Sequence, residues 1–206
     1  VTNKPFMPEA ETAHLTQVYA DARVILEYGS GGSTRVAAAM PGKFIMSVES
    51  DLDWTRGLRR DLAGAASPVI LHHVDIGPTG PWGRPLSDDK WRAYHRYPNT
   101  VWDQTWFRQP DVVLIDGRFR TACLAAVMLR TSRPVKVLFD DYGVREKYRL
   151  VEKVIKPSQT IGRMAEFTVL PGATSQADLG FLIEQFFEMT VHGEGEAAYR
   201  LPESAS

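Results

Sequence analysis

The chain is short of the features that most quickly assign a protein to a class. It holds one cysteine, Cys123, in 206 residues. A single thiol forms neither an intramolecular disulfide nor the cysteine sets of structural zinc sites. Its apolar, helix-patterned surroundings mark it as a buried core thiol. Neither sign of charge prevails: 24 Lys and Arg stand against 25 Asp and Glu, a formal net charge of -1. That balance argues against a protein built to grip a nucleic-acid backbone. No apolar run approaches the roughly 18 residues needed to span a bilayer. The first residues lack the charged-then-apolar order of a secretory signal. A cytoplasmic protein with no membrane partner is therefore expected. Internal repeats and low-complexity tracts are absent too.

What is present is a full core, 44% hydrophobic, enough for one domain. That domain is expected over residues 1–192, with a small, polar tail over 193–206. Residues 8–20 read as a first helix. Five short apolar, β-branched runs follow as strands: 23–28, 44–49, 68–73, 111–116 and 135–140. Helical stretches lie between them at 33–39, 51–63, 120–130 and 144–156. Strands alternating with helices imply an α/β fold, a mostly parallel sheet with helices on both faces. Two further apolar runs, 166–170 and 179–187, are expected to form a final antiparallel pair at the sheet edge. Residues 77–109 break the alternation. This insertion carries Trp82, Trp91, Trp102 and Trp106 together with Tyr94 and Tyr97. Such a segment builds a satellite core, lines a pocket, or does both.

The most telling local pattern is Ile25-Leu26-Glu27-Tyr28-Gly29-Ser30-Gly31-Gly32-Ser33-Thr34. A buried strand ends in an acid, turns on glycines and opens a helix. Glycine permits the sharp turn and a close approach to a ligand. The helix N-terminus behind it offers unpaired N–H groups. In open parallel sheets ligands bind outside the carboxyl ends of the strands. Each of the five strands delivers an acid to that edge: Glu27, Glu49, Asp75, Asp116, and the pair Asp140 and Asp141. Glu49 follows Gly29 by about 20 residues, the distance at which a carboxylate ending the second strand meets ribose hydroxyls. His72 and His73 are adjacent on a strand, so they point to opposite faces; one faces the core and the other is free to reach the site.

The pattern Glu27-x-Gly29-x-Gly31, followed by Glu49 and Asp75, resembles the class I S-adenosylmethionine-dependent methyltransferases over roughly residues 20–187. The resemblance implies a Rossmann-like, seven-stranded sheet with its last strand antiparallel. It implies a transferase binding S-adenosyl-L-methionine and acting on a small molecule, at oxygen. Glu27, Gly29 and Gly31, with the adjoining Ser30, would lie near the methionine moiety. Glu49 and Ser50 would hold the ribose, and Asp75 and Ile76 would flank the adenine. Asp116 would be nearest the reacting centre. Three rivals stay open: a cofactor-binding protein without transferase activity, an aminopropyl transferase, and a dehydrogenase. Against the last, Thr34 stands where a dinucleotide fingerprint has its third glycine.

The runs Val113–Gly117 and Val137–Gly143 resemble the metal-dependent sugar O-methyltransferases more closely. In that branch Asp116, Asp140 and Asp141 would bind Mg²⁺, whose hard charge suits carboxylate oxygens. The chain departs from it two residues after Asp116, where Arg118 replaces the apparent base. Arg118, Arg120 and Lys147 either pair with the acids or receive an anionic acceptor.

Overall fold

A computed structural model describes residues 5–188; the tail expected over 193–206 lies outside the described residues. One sheet of seven strands forms the frame: β1 (Val24–Tyr28), β2 (Phe44–Glu49), β3 (Val69–His73), β4 (Val112–Ile115), β5 (Val135–Phe139), β6 (Gln159–Ile161) and β7 (Met164–Val169). Their spatial order is β3-β2-β1-β4-β5-β7-β6. The first five are parallel, and β7 runs antiparallel between β5 and β6. The helices are α1 (Glu9–Asp21), α2 (Gly32–Ala39), α3 (Leu52–Asp61), α4 (Trp91–Tyr94), α5 (Arg96–Asn99), α6 (Arg120–Arg130) and α7 (Gln176–Glu184). Among the described residues no helix is long and apolar enough to cross a membrane.

Period-two alternation sorts the strand residues between two cores. Ile25, Ile45, Val112, Leu114 and Leu138 pack with Leu15, Val18 and Tyr19 of α1 and with Ala37 of α2. Leu26, Tyr28, Met46, Val48, Val113, Ile115 and Phe139 face α6 and the insertion. The inner aromatics of that insertion complete the second core. Tyr94 stacks on Phe119 at 4.9 Å, and the Trp102 indole donates to the Tyr28 hydroxyl at 2.7 Å. Tyr28 in turn donates to the Pro98 carbonyl at 2.7 Å. Trp82 and Trp91 remain largely exposed. Cys123 is fully buried in α6, as expected, and burial pushes its thiol pKa up.

Two expectations about the C-terminal third are corrected. Residues 179–187 fall mostly on α7 and contribute no strand. Ser175 and Asp178 form a reciprocal cap that starts the helix, with Ser175 N–H donating to the Asp178 carboxylate at 2.9 Å. The partner of β7 is instead β6, a three-residue edge strand too short and polar to show a pattern. The stretch 144–156 contains a 3₁₀ helix, Glu146–Lys153. Its buried residues Tyr148 and Val151 sit three apart, the period of that tighter helix.

The strand order reverses between β1 and β4, and the backbones there touch. Gly29 has φ +97°, and a Cβ on it would lie 2.7 Å from Gly117 Cα. A Cβ on Gly117 would fall 2.2 Å from the Tyr97 hydroxyl. Both positions therefore require glycine. Under the same turn lies Glu27, fully buried. Its carboxylate accepts from Tyr19 of α1 at 2.8 Å, Thr34 of α2 at 2.5 Å and Ser47 of β2 at 3.1 Å. Thr34 also receives the Gly31 N–H at 2.8 Å. Burial pushes the Glu27 pKa up, while these hydroxyls pull it down.

Replacing Glu27 by Ala strands three buried hydroxyls, each costing roughly 1–3 kcal/mol. Glu27→Ala is expected to lose about 3–5 kcal/mol of stability in urea unfolding, whereas Glu27→Gln, which keeps shape and polarity, loses less than half of that. Equal losses for the two variants would show that the hydroxyl network does not stabilise the turn.

Candidate active site

A cavity of about 840 Å³ opens at the carboxyl ends of β1, β2, β4 and β5, over the strand-order reversal. Gly29, Ser30, Gly31, Gly32 and Ser33 form one wall. Glu49, Asp51 and Trp54 form the next, and the Trp54 indole donates to the Ser30 carbonyl at 2.8 Å. Asp116, Gly117, Asp140 and Asp141 close the far end. Segment 79–84 of the insertion lies across the mouth, with Pro5 and Phe6 from the N-terminus. The rings of Phe6 and Trp82 meet at 5.3 Å, and both are mostly exposed.

The expected site residues separate into three groups. Gly29, Ser30, Gly31, Glu49 and Asp116 line the cavity. Glu27 lies beneath the loop, and Ser50 is buried behind Glu49, its hydroxyl donating to the Gly83 carbonyl at 2.9 Å. Asp75 and Ile76 do not line the cavity. Asp75 turns outward to Lys90 Nζ at 2.7 Å, which holds its pKa low, and Ile76 is a fully buried core residue. The histidines do not line it either: His72 meets the Thr100 hydroxyl at 2.9 Å and His73 the Ser50 carbonyl at 3.2 Å.

Glu49 is nearly buried. It accepts the N–H groups of Ser50 at 2.7 Å, Asp51 at 3.0 Å and Ser30 at 3.2 Å. Burial pushes its pKa up, and these backbone donors pull it down. The carboxylate thereby ties the end of β2 to the glycine loop. Gly83 approaches it so closely that a Cβ there would lie 3.0 Å from Glu49 Oε1.

The far end is a cluster of opposed charges. Arg120 of α6 reaches back to Asp116 Oδ1 at 3.0 Å, the Asp116 carbonyl at 2.9 Å and Asp141 at 3.2 Å. Arg163, in the β6–β7 turn, grips both oxygens of Asp140 at 3.0 and 2.9 Å. It also contacts Asp141 at 3.3 Å. Arg145 adds a contact to Asp141 at 3.4 Å. Asp116 keeps a side chain 31% exposed to the cavity. Burial is the main influence on it; the nearby acids push the same way and Arg120 opposes them, leaving a pKa of about 7.

This donor set does not suit the Mg²⁺ expected at Asp116, Asp140 and Asp141. Two guanidiniums occupy the space among the three carboxylates, and both Asp140 oxygens are engaged by Arg163. A divalent ion placed there would meet positive charge at contact distance. Among the described residues no group of three or more His, Cys, Asp or Glu side chains is arranged to hold a metal. Several cavity residues went unnoticed in the sequence. Gly117 had a signal, its place directly after the acid ending β4. Arg163 and Phe6 had none, because they reach the site through tertiary folding alone.

No protein-family profile matches the chain, and neither does any curated protein sequence. Among solved structures, a methyltransferase-like protein from Silicibacter pomeroyi is 46% identical. The match covers 92% of this chain and all of that one, with a TM-score of 0.84. A methyltransferase from Geobacter sulfurreducens shares the fold at 12% identity and TM-score 0.54, over 81% and 82% of the two chains. An S-adenosylmethionine-dependent O-methyltransferase from Thermotoga maritima does so at 8% identity and TM-score 0.53, over 84% and 69%. With the strand order, the glycine turn at the reversal and this relative in view, the chain belongs to the methyltransferase-like family of the class I S-adenosylmethionine-dependent methyltransferase superfamily.

Proposed function

We propose that the protein is an S-adenosylmethionine-dependent methyltransferase acting on the hydroxyl of a small molecule. The observation that carries this reading is that one cavity joins the glycine loop and Glu49 at one end to Asp116 at the other. Its volume of about 840 Å³ lies in the range of small-molecule sites. Gly29, Ser30 and Gly31 present backbone to the methionine portion, and Glu49 faces the ribose. The aromatic rings of Trp54 and Trp82 border the adenosine end.

When bound, S-adenosylmethionine supplies an electrophilic methyl group on a sulfonium centre. The chain has two tasks toward it. The first is positioning, because in-line displacement gains much of its rate from orientation. The turn held by Glu27 and the Gly29–Gly117 contact fix that geometry. The second is proton removal. Methyl transfer to the acceptor hydroxyl would exchange its proton for the methyl group that the cofactor would supply, so that proton has to leave into the site. The Asp116 carboxylate takes the hydroxyl proton. A base with a pKa of about 7 is well matched to this at neutral pH.

A second reading, a cofactor-binding protein without transferase activity, is favoured by Arg118 standing where the related branch has its base. Turnover of any member of a hydroxyl-acceptor panel would remove it.

Three outcomes test the proposal. Glu49→Ala should weaken S-adenosylhomocysteine binding in calorimetry by roughly 1–3 kcal/mol, as for lost hydrogen bonds to a charged group; unchanged affinity would remove the ribose assignment. Asp116 works only when deprotonated, so kcat/KM should fall as pH drops below about 7. Asp116→Asn should flatten that limb and lower kcat by about 100-fold or more; a variant that keeps both rate and profile would exclude Asp116 as the base. Finally, because Arg120 and Arg163 already balance the acids, EDTA should leave turnover unchanged and Mg²⁺ titration should give no heat. A binding heat that Asp141→Ala abolishes would overturn this charge assignment.

A further inference from the structure

Two exposed aromatic rings meet over the cavity from segments far apart in the chain. Phe6 and Trp82 both line it, yet they are 80% and 67% exposed. A residue that borders a cavity and is mostly open to solvent stands on its rim. The two rings lie 5.3 Å apart at an interplanar angle of 42°, so the rim is bridged. Single apolar side chains left in water are ordinary; a contacting pair at the rim of a ligand-sized cavity is not.

Each ring is carried on a short arm with a fixed root. Phe6 precedes Met7, which packs against the core of Leu15 and Tyr19 and whose carbonyl accepts from the Thr12 hydroxyl at 3.3 Å. Arg163, rooted by its N–H on Glu11 at 2.8 Å, donates to the Phe6 carbonyl at 3.2 Å. Trp82 lies at the tip of a tight loop. A bridge between Thr79 and Pro85 closes that loop, and the Gly80 N–H donates across it to the Arg84 carbonyl at 2.7 Å. The Ser50 hydroxyl anchors it at the Gly83 carbonyl. Trp82 itself has φ +63°, a left-handed conformation that is costly for a bulky residue, and Gly83 follows at φ +66°. Strain is thus placed where the loop turns an indole over the opening.

The roots are held by hydrogen bonds, and the tips meet through a ring contact. A tilted contact between two solvent-exposed rings alters an open–closed balance by only roughly two- to tenfold, so it forms and parts readily. We propose that Phe6 and Trp82 are the two leaves of a gate, and that the cavity exchanges its ligand when this pair parts. The gate is tied to both ends of the site. One leaf hangs from Arg163, which grips Asp140, and the other from Ser50, whose hydroxyl also reaches Glu49 at 3.3 Å. The methyltransferase reading enters only in the choice of ligand for the second test below.

Thiol labelling of the ligand-free chain tests the gate directly. Asp116→Cys places a thiol at the far end of the cavity, and Cys123 is fully buried. Adding Phe6→Ala or Trp82→Ala should each speed reaction with a bulky maleimide by roughly threefold or more. The two together should be no faster than the faster single variant, because either loss already opens the pair. Unchanged labelling, or increases that multiply, overturns the proposal. Stopped-flow binding of S-adenosylhomocysteine to the chain with Asp116 intact gives a second measure. Loss of a gate raises association and dissociation rates together, whereas loss of a ligand contact raises dissociation alone. Phe6→Ala should therefore increase both rate constants by roughly threefold or more and change Kd by less than about twofold. A rise in dissociation alone overturns the gate. Failure of S-adenosylhomocysteine to bind at all removes the methyltransferase reading instead, and the labelling rates still decide the gate.

Discussion

The buried carboxylate of Glu27 is the constraint on which the rest of the site depends. A fully buried carboxyl group is costly unless hydroxyls or amides surround it. Here three hydroxyls do so, and each comes from a different element: α1, α2 and β2. Satisfying one group therefore fixes three elements at once. Thr34 extends the effect into the loop by receiving the Gly31 N–H, and Ser47 does so through the Ser30 hydroxyl at 2.7 Å. The glycine turn, which has little side-chain packing of its own, takes its shape from below. Above it, Gly29 and Gly117 touch backbone to backbone, so the loop is clamped from both sides.

From that clamp the geometry of the cavity follows. Glu49 is held by three backbone N–H groups, one of them Ser30 of the same loop, so the ends of β1 and β2 move as one body. The insertion joins this body through the Ser50–Gly83 hydrogen bond and through the aromatic core around Tyr94, Tyr97 and Trp102. Part of the insertion is thus core and part is wall, and Tyr97 is both, being fully buried from solvent while bordering the cavity. The N-terminus is drawn in by Arg163, which donates to the Phe6 carbonyl at 3.2 Å as well as gripping Asp140. Cavity roof and acid cluster share that one arginine.

The frame was legible in the sequence because its signals are local. Five strands and four of the helices were expected from apolar period and glycine punctuation, and all five strands lie within a residue or so of the expected bounds. The strand ends delivered their acids to one edge. What those acids do there depends on tertiary partners, and that was not legible. Asp75 turns outward to Lys90, fifteen residues on in the insertion, whose Nζ lies 2.7 Å from its carboxylate. Asp140 is bound by Arg163, an arginine in a hairpin whose first strand carries no readable pattern. The run 179–187 reads as a strand on apolar content alone, whereas the polar cap at Ser175 and Asp178 marks a helix start. Local period predicts elements well; it does not say which long side chain arrives from elsewhere.

That limit bears directly on the chemistry at Asp116. Three acids gathered at the ends of β4 and β5 can be balanced by a divalent ion or by guanidiniums, and the sequence alone leaves both open. The two solutions differ in more than charge. A divalent ion coordinated by all three carboxylates would hold each deprotonated, and no acid in the set could act as a proton acceptor near neutral pH. Guanidiniums distribute their charge through fixed hydrogen bonds instead. Arg163 is committed to Asp140 by a two-point grip, and Arg145 and Arg120 divide their attention over Asp141 and Asp116. Asp116 receives only a share of Arg120, while burial and the neighbouring acids raise its pKa to about 7. With arginines among the acids, Asp116 keeps the raised pKa that the proposed base role requires. On the proposed reading Arg118, which stands where the resembled branch has its apparent base, leaves proton acceptance to Asp116, the acid that the guanidiniums restrain least.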